Sequence, residues 1–488
     1  MPVIQLPIAN GFYMSDSLPI SAQECTNFYP NIPQAPALSQ ETLLGTPGTV
    51  EIGNTGVIAD RKEANRGAHV MGGLPYFVNG GTLYRVNRSV DDKEVESFDI
   101  EPLGDIAGQG RVSLADNGQQ LCILSPGGAG YIYDGTTLTE ITDSDFRASG
   151  DPQHVVFIDG YFVFTTDSKK FIVSALNDGL SYNALDFGTA EADPDDIVAP
   201  IVFRNQLFIG GSETLEAFQN IGGADFPFRR TGLFIQKGVD APFSVVEAND
   251  SFMFIGGGKN ESPAIWALSG NTASKVSTTA IDSILQRFTE AEIKESFAWS
   301  YAQKGAYFVA FSLPTTTLVI DTITGRWHER KSRFMPPSGI PVSVRSRVNS
   351  LVSAYGRVLV GDGLDGRIGS LEPDVYTEYG NAIVRVIATQ PFQNNMEALL
   401  VPTLELTMEA GVGNSDAKNP MVRMDRSTDG GKTFSDDRSR PIGKVGDYGR
   451  RTIWRRNGRA ARFEIFRFKL SDPVKPVIIQ LTADIMGG

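Results

Sequence analysis

The sequence predicts an all-β protein: a six- or seven-bladed β-propeller, with an N-terminal extended arm before it and a small β-sandwich-like domain after it. Three observations predict this. Short apolar strands flank tight turns again and again, the turns recur at a nearly constant interval, and residues 396–488 alternate apolar and polar side chains outside that interval.

The hairpins run "YFVNGGTLYRV" (76–86), "VSLADNGQQLCIL" (112–124), "HVVFIDGYFVFTT" (154–166), "PIVFRNQLFIGG" (200–211), "FSVVEANDSFMFIGG" (243–257), "FAWSYAQKGAYFVAFS" (297–312) and "LVSAYGRVLVGD" (351–362). With Asn79, Asn117, Asp159, Arg204, Asn249, Lys304 and Tyr355 as turn markers, the spacings are 38, 42, 45, 45, 55 and 51 residues. Asn-Gly and Asp-Gly pairs tolerate the positive φ of tight hairpin turns, and the Val, Ile, Phe and Tyr beside them suit half-buried strands. Second hairpins follow at "GAGYIYDGTTLTEI" (128–141) and "TTTLVIDTITGRWHER" (315–330). Four strands in roughly 40–50 residues is the arithmetic of a propeller blade. A four-stranded sheet alone leaves a face and two edges exposed, and stacking sheets around a closed ring removes most of both. The propeller is placed at 66–395, with an array of β-sandwiches as the structural alternative. One helical stretch, "TTAIDSILQRFTEAEIKESF", interrupts it, with Ile281, Ile284, Leu285 and Phe288 on one face and Thr278 or Thr279 as the cap.

The ends read differently. Residues 1–65 hold Pro-rich stretches ("YPNIPQAPAL", "LLGTPGTV") and few strong strands, which predicts an extended arm. "TLELTMEAG", "ARFEIFRFKL" and "PVIIQLTADI" alternate in strand fashion and predict the C-terminal β-rich domain, 396–488.

Of 488 residues, 41% are hydrophobic and 21% charged, ordinary for a globular chain. Two cysteines, Cys25 and Cys122, are too few for a disulfide framework, so an intracellular folding compartment is expected. The N-terminal residues lack a basic region followed by an apolar one, which argues against secretion, and no apolar run reaches the roughly 20 residues needed to span a bilayer. The net charge of −13 is unevenly distributed. Residues 423–469 carry 14 Lys/Arg and 6 Asp/Glu, and subtracting that +8 from −13 leaves −21 elsewhere. Such a split suits two faces with different partners rather than a general nucleic-acid binder.

Enzymatic motifs are missing. His69, His154 and His328 have no metal-ligand spacing and are expected at surfaces or turns; no metal or other cofactor site is expected. There is no G-x-S-x-G elbow. "GGKT" (430–433) lacks the earlier glycine of a phosphate loop, since Arg426 stands there. The acidic stretch 186–196 reads as a solvated loop. "STDGGKTF" (427–434) resembles the Asp box of sialidase propellers through Ser427, Asp429, Gly431, Thr433 and Phe434. That box is a turn motif even in those enzymes, so Ser427, Asp429, Gly430, Gly431, Thr433 and Phe434 are expected to shape a hairpin. A glycan-binding or glycan-cleaving propeller is the alternative it raises. No catalytic residue is assigned.

The surrounding segment carries a wider resemblance. Arg440, Ile442, Gly443, Gly446, Tyr448, Arg451, Trp454, Arg456, Gly458 and Ser471-Asp472-Pro473 fit the closing signature of the packaged-DNA stabilisation, or tail-hub (nozzle), proteins of short-tailed, tailspike-bearing bacteriophages. "SLPISAQECTNFYPN" (17–31), with Gln23, Asn27 and Tyr29, and residues 278–301 also resemble that family. The resemblance implies a non-enzymatic virion tail protein, made and assembled in the host bacterial cytoplasm. It implies a homo-hexamer below the portal and the tail adaptor, holding a needle plug, docking tailspikes, and passing duplex DNA without sequence-specific binding. The basic block suggests Arg450, Arg451, Arg455 and Arg456 as a subunit or adaptor contact.

Overall fold

A computed structural model describes residues 3–56, 63–190, 195–223, 226–394 and 397–487. Seven antiparallel sheets succeed one another along the chain, spanning 65–105, 113–140, 152–189, 197–235, 238–275, 297–334 and 348–372. In most of them four strands lie side by side in sequence order, each joined to the next by a short turn. The turn residues explain how so few residues reverse the chain. Asp159, Arg204, Asn249, Lys304 and Tyr355 have φ of 51°, 49°, 53°, 47° and 57°, and at the other two markers the following Gly80 and Gly118 take 54° and 86°. In the first sheet the marker is one turn late: Asn79 ends the second strand, and the first hairpin turns at Gly72-Gly73. Its "MGGL" is as good a turn as "NGGT", and local chemistry does not rank the two.

The seventh sheet has three strands of its own, and its fourth comes from the other end of the chain. Gly48–Asn54 pairs antiparallel with Arg367–Glu372, placing Val50 opposite Ser370 and Asn54 opposite Arg367. The seventh sheet also meets the first. Ser350 Oγ donates to Asn65 Oδ1 (2.6 Å), the Tyr355 hydroxyl to the Val86 carbonyl (2.7 Å), and Asn79 Nδ2 to the Gly366 carbonyl (3.2 Å). The ring of sheets is therefore closed. Aromatic side chains fill the spaces between blades: Phe146, Phe164 and Tyr182 form one cluster, Phe171 and Phe218 another, and Phe203, Phe208 and Phe252 a third. Their rings meet mostly edge to face at centroid distances such as 5.2 Å for Phe146–Phe164, the arrangement their quadrupoles favour.

Both ends of the chain build the sandwich. One sheet contains Val3–Leu6, Phe28–Asn31, Thr42–Gly45, Leu399–Met408, Thr452–Arg455, Arg459–Ala460 and Val477–Gly487. The other contains Cys25–Thr26, Arg385–Ala388, Met421–Ser427, Arg438–Pro441 and Ile465–Leu470. This second sheet continues into the propeller, because Thr26 pairs in parallel with Glu329 on the outer strand of the sixth sheet. Leu404, Trp454, Phe468, Ile478 and Leu481 of the sandwich share one buried cluster with Phe311 and Trp327 of the sixth sheet. Sandwich and propeller have a common core.

Three expectations change here. The segment expected as an extended arm, 1–65, instead has its described strands paired within the chain, some in the sandwich and one, Gly48–Asn54, in the propeller. The boundary placed at 396 falls earlier in strand pairing, since Arg385–Ala388 already pairs with Ile465–Leu470. The helical stretch is two short helices, Thr279–Leu285 capped by the Thr278 hydroxyl and Glu290–Lys294 held by a Thr289–Glu292 capping box.

At the head of the seventh sheet Arg347 is buried with its guanidinium on two carboxylates, Nε to Asp362 at 2.5 Å and Nη2 to Asp365 at 2.9 Å. Replacing one member of a buried ion pair strands the other in low dielectric. Arg347→Met is expected to lower unfolding free energy by about 3–5 kcal/mol, read as a drop in the urea midpoint with little change in slope.

Candidate docking surface on the sandwich

The Asp-box residues form one turn. Asp429 accepts from the Ser427 hydroxyl (2.7 Å), the Lys432 amide (2.9 Å), the Thr433 amide (3.0 Å) and the Thr433 hydroxyl (2.6 Å). The Gly431 amide donates to Ser427 Oγ (2.9 Å). With φ of 78° and 94°, Gly430 and Gly431 adopt backbone that side chains oppose, and a Cβ on Gly430 would stand 2.8 Å from the Pro19 ring. The turn is thus pressed against residues 18–22 of the N-terminal segment. Phe434 packs beside Ala22, Ala388 and Ile465 with the Arg467 guanidinium 3.6 Å over its ring. The Thr433 hydroxyl and amide and the Ser427 hydroxyl hold the Asp429 carboxyl well below its usual range.

The basic block separates into two populations. Arg426, Arg438, Arg440 and Arg467 face inward to structural tasks. Arg426 lies on buried Glu464 (Nε to Oε1, 2.7 Å), whose carboxyl burial pushes up to about 7, and Arg467 pairs with Asp425 at 2.7 Å. Arg440 Nε donates to the Ile453 carbonyl (2.9 Å), Arg438 Nη2 to the Arg455 carbonyl (2.6 Å), and Trp454 Nε1 to the Arg438 carbonyl (2.7 Å). Thr452–Arg455 is the edge strand of its sheet, and Arg438–Pro441 is the edge of the other. These bonds cover carbonyls that an open edge would offer to any passing strand.

The four arginines expected as a contact do not act alike. Arg451 forms a two-pronged pair with Glu405 (2.8 and 2.5 Å), and Arg450 lies 3.6 Å from Asp447. Arg455 and Arg456 are exposed with no carboxylate partner among the described residues, and Arg459 and Arg462 extend the same exposed row. Sequence reasoning missed the last two, although they stand only a few residues on. It also could not see that Glu405, 46 residues from Arg451, neutralises it.

Elsewhere the buried Arg385 guanidinium and both ring nitrogens of His328 have no hydrogen-bond partner among the described residues. All three histidines lie inside strands rather than in turns. His69 shares a 2.6 Å bond with Asp116 between the first two sheets, and His328 is fully buried beside Tyr29 and Phe308. His154 stands edge-on to Phe243 at 4.8 Å, where burial lowers it to about 4. Phe243 lines two pockets of about 340 and 260 Å³ among the first strands of the propeller sheets, and Arg111, which lines the larger, lies 3.6 Å over the Phe297 ring. The acidic stretch 186–196 is partly strand, to Thr189, and buried Asp195 accepts from the Glu213 and Thr214 amides at 2.8 and 3.0 Å; residues 191–194 lie outside the described residues. Cys25 and Cys122 are buried free thiols. Among the described residues no group of three His, Cys, Asp or Glu is placed to hold a metal ion, and no helix is long and apolar enough to cross a membrane.

Fold and surface together define a propeller-and-sandwich protein with an Asp-box turn, buried ion pairs and an exposed row of arginines on the sandwich. Family models agree with this division: one described as bacteriophage P22 Gp10, β-propeller, matches residues 4–376, and one described as bacteriophage P22 Gp10, β-sandwich, matches 384–486. The chain belongs to the bacteriophage P22 Gp10 family of phage structural proteins, which stabilise packaged DNA. No curated protein sequence matches it. Solved structures that resemble it include the WD40 propeller domain of Doa1 (14% identity, TM-score 0.38, covering 67% of this chain and 97% of that one). The computationally designed Ika8 protein follows at 13% identity and TM-score 0.35, covering 67% of this chain and 100% of that one. PorZ, a surface component of the type-IX secretion system of Porphyromonas gingivalis, is 9% identical with TM-score 0.38, covering 71% of this chain and 42% of that one. At those scores the fold assignment rests on strand pairing and the family match instead.

Asp429→Ala is expected to lower the melting temperature. Because the folded-state pKa of Asp429 is depressed, its stabilisation is present above the ordinary value of 3.8 and lost as pH falls below it. The gap in melting temperature between variant and wild type should therefore narrow on acidification below 3.8; a gap that widens there would contradict the turn's role.

Proposed function

We propose that this phage structural protein is the tail-hub, or nozzle, subunit of a short-tailed bacteriophage. Six copies close head to tail beneath the portal and the adaptor ring, extend the DNA channel, retain the packaged genome, and carry tailspikes and a needle plug. The observation that carries the reading is the division of charge: +8 on residues 423–469 against −21 on the rest of the chain. A wall past which DNA must slide cannot be strongly basic, since each phosphate neutralised by Lys or Arg adds affinity and drag. An acidic majority repels the duplex, and a confined basic block is left for protein contacts. The small size of the pockets among the propeller's first strands supports a bore between subunits instead: a DNA major groove alone is about 12 Å wide, and pockets of about 340 and 260 Å³ take no duplex. Assembly and exit of the genome then depend on subunit surfaces, with no chemistry performed by the chain.

The glycan reading loses its motive, because the carboxylate of the Asp box already accepts four side-chain and backbone bonds within its own turn. Electron microscopy of virions labelled with antibody to this chain tests the proposal. Label confined to the tail below the head, with six-fold averages, is expected; label distributed over the capsid, or release of sugar from a polysaccharide by the purified chain, would overturn it.

A further inference from the structure

We infer that the hairpin tip of the first sheet, residues 90–99, docks on the basic edge of the sandwich of a second copy of this chain. The inference rests on the ring reading above and names the two surfaces that meet.

The outer hairpin of the first sheet, Thr82–Val90 with Glu96–Asp105, ends in a tip that has two properties together. Val90 and Val95 are 52% and 59% exposed, an apolar pair at the very end. Around them stand Asp92, Glu94 and Asp99, exposed and without a cation partner among the described residues. The neighbouring carboxylates are already paired: Glu96 to Arg88 and Arg357, Glu101 to Arg85. The tip is ordered rather than loose, since Asp91 accepts from the Lys93 and Val95 amides at 2.9 and 2.8 Å.

The sandwich carries the complement. Val445 and Tyr448 are 67% and 75% exposed on the loop that leads into the edge strand Thr452–Arg455. Beyond them Arg455, Arg456 and Arg459 lie exposed and unpaired among the described residues. The tip thus offers an apolar pair among acidic side chains, Asp91, Asp92, Glu94 and Asp99 outnumbering the exposed Lys93, and the sandwich offers a row of exposed arginines. Val445 and Tyr448 pack at Gly413 and Gly411, whereas Arg456 and Arg459 stand at Pro402 and Leu400, toward the other end of the neighbouring strand. No hydrogen bond or ion pair joins the two regions within one chain; the hairpin turns instead toward the seventh sheet through Arg357, while the arginines lie on the sandwich. A contact between two different patches of one chain is heterologous and propagates from copy to copy, which closes a ring when the rotation allows. Opposed charges set its register and speed encounter, while Val90 and Val95 of the tip supply non-directional attraction.

The arrangement has a direct test, because both sets of charges are exposed and their reversal leaves the core untouched. One full-length variant carries Arg455→Glu, Arg456→Glu and Arg459→Glu; the other carries Asp92→Lys, Glu94→Lys and Asp99→Lys. Sedimentation velocity and native mass spectrometry are run on each across a concentration series, with circular dichroism confirming the fold. Each variant alone is expected to associate more than about tenfold more weakly than wild type, because its contact now opposes like charges. An equimolar mixture is expected to recover assembly in strict alternation, since every contact is then between opposite signs. Normal assembly by either variant alone, or a mixture that stays as dissociated as its parts, overturns the contact while the ring reading stands. A wild-type chain that remains at 52.9 kDa at every concentration overturns the contact as one that free chains form, and the ring reading then stands or falls on the virion labelling.

Discussion

The structure depends on one long-range pairing. Gly48–Asn54 supplies the fourth strand of the seventh sheet, and without it Arg367–Glu372 is an open edge. A ring of sheets gains its stability from having no end, because each blade buries its faces on its neighbours. The strands before it, Phe28–Asn31 and Thr42–Gly45, lie in the sandwich, and Cys25–Thr26 bridges the sandwich to the sixth sheet. One short stretch of chain therefore completes both domains and ties them together. Rigid coupling suits a phage structural protein, since a hinge between propeller and sandwich would let their surfaces drift relative to one another.

Within this frame the arginines divide by environment rather than by position in the sequence. Those at the sandwich's closed side bind carbonyls of an edge strand or a buried carboxylate such as Glu464, where leaving the group unpaired in low dielectric would be costly. Those on the outward edge remain hydrated, Arg455, Arg456 and Arg459 without a carboxylate partner among the described residues. The same side-chain type therefore seals one surface against unwanted strand addition and leaves another exposed and positively charged. The Asp-box turn belongs to the first group: it clasps residues 18–22 and so helps hold the N-terminal segment that the ring requires.

Much of this was legible in the sequence because it is local. Lys304-Gly305 and Tyr355-Gly356 announce hairpins through φ preferences that act over two residues, and the box reads as a turn because its donors lie within four residues of Asp429. The helix cap at Thr278 was likewise open to inspection. What stayed hidden is non-local. Gly48–Asn54 meets its partner roughly three hundred residues later, and "GTVEIGN" carries no mark of which edge it will join. The Pro-rich flanks suggested a loose arm because proline marks extended backbone, and extended backbone in solution and in a sheet look alike in sequence. For the same reason the neutralising partner of Arg451 emerged only when the strand register set Glu405 opposite Ile453. His328 looked like a surface residue until the sixth sheet placed it under aromatic rings.

The N-terminal segment, paired into both, makes propeller and sandwich one cooperative body. Native-state hydrogen exchange, followed peptide by peptide, tests it most directly. Arg367–Glu372 in the propeller and Ile465–Leu470 in the sandwich should show the same opening free energy and lose protection together as denaturant is added. Protection lost from one domain while the other stays closed would contradict it.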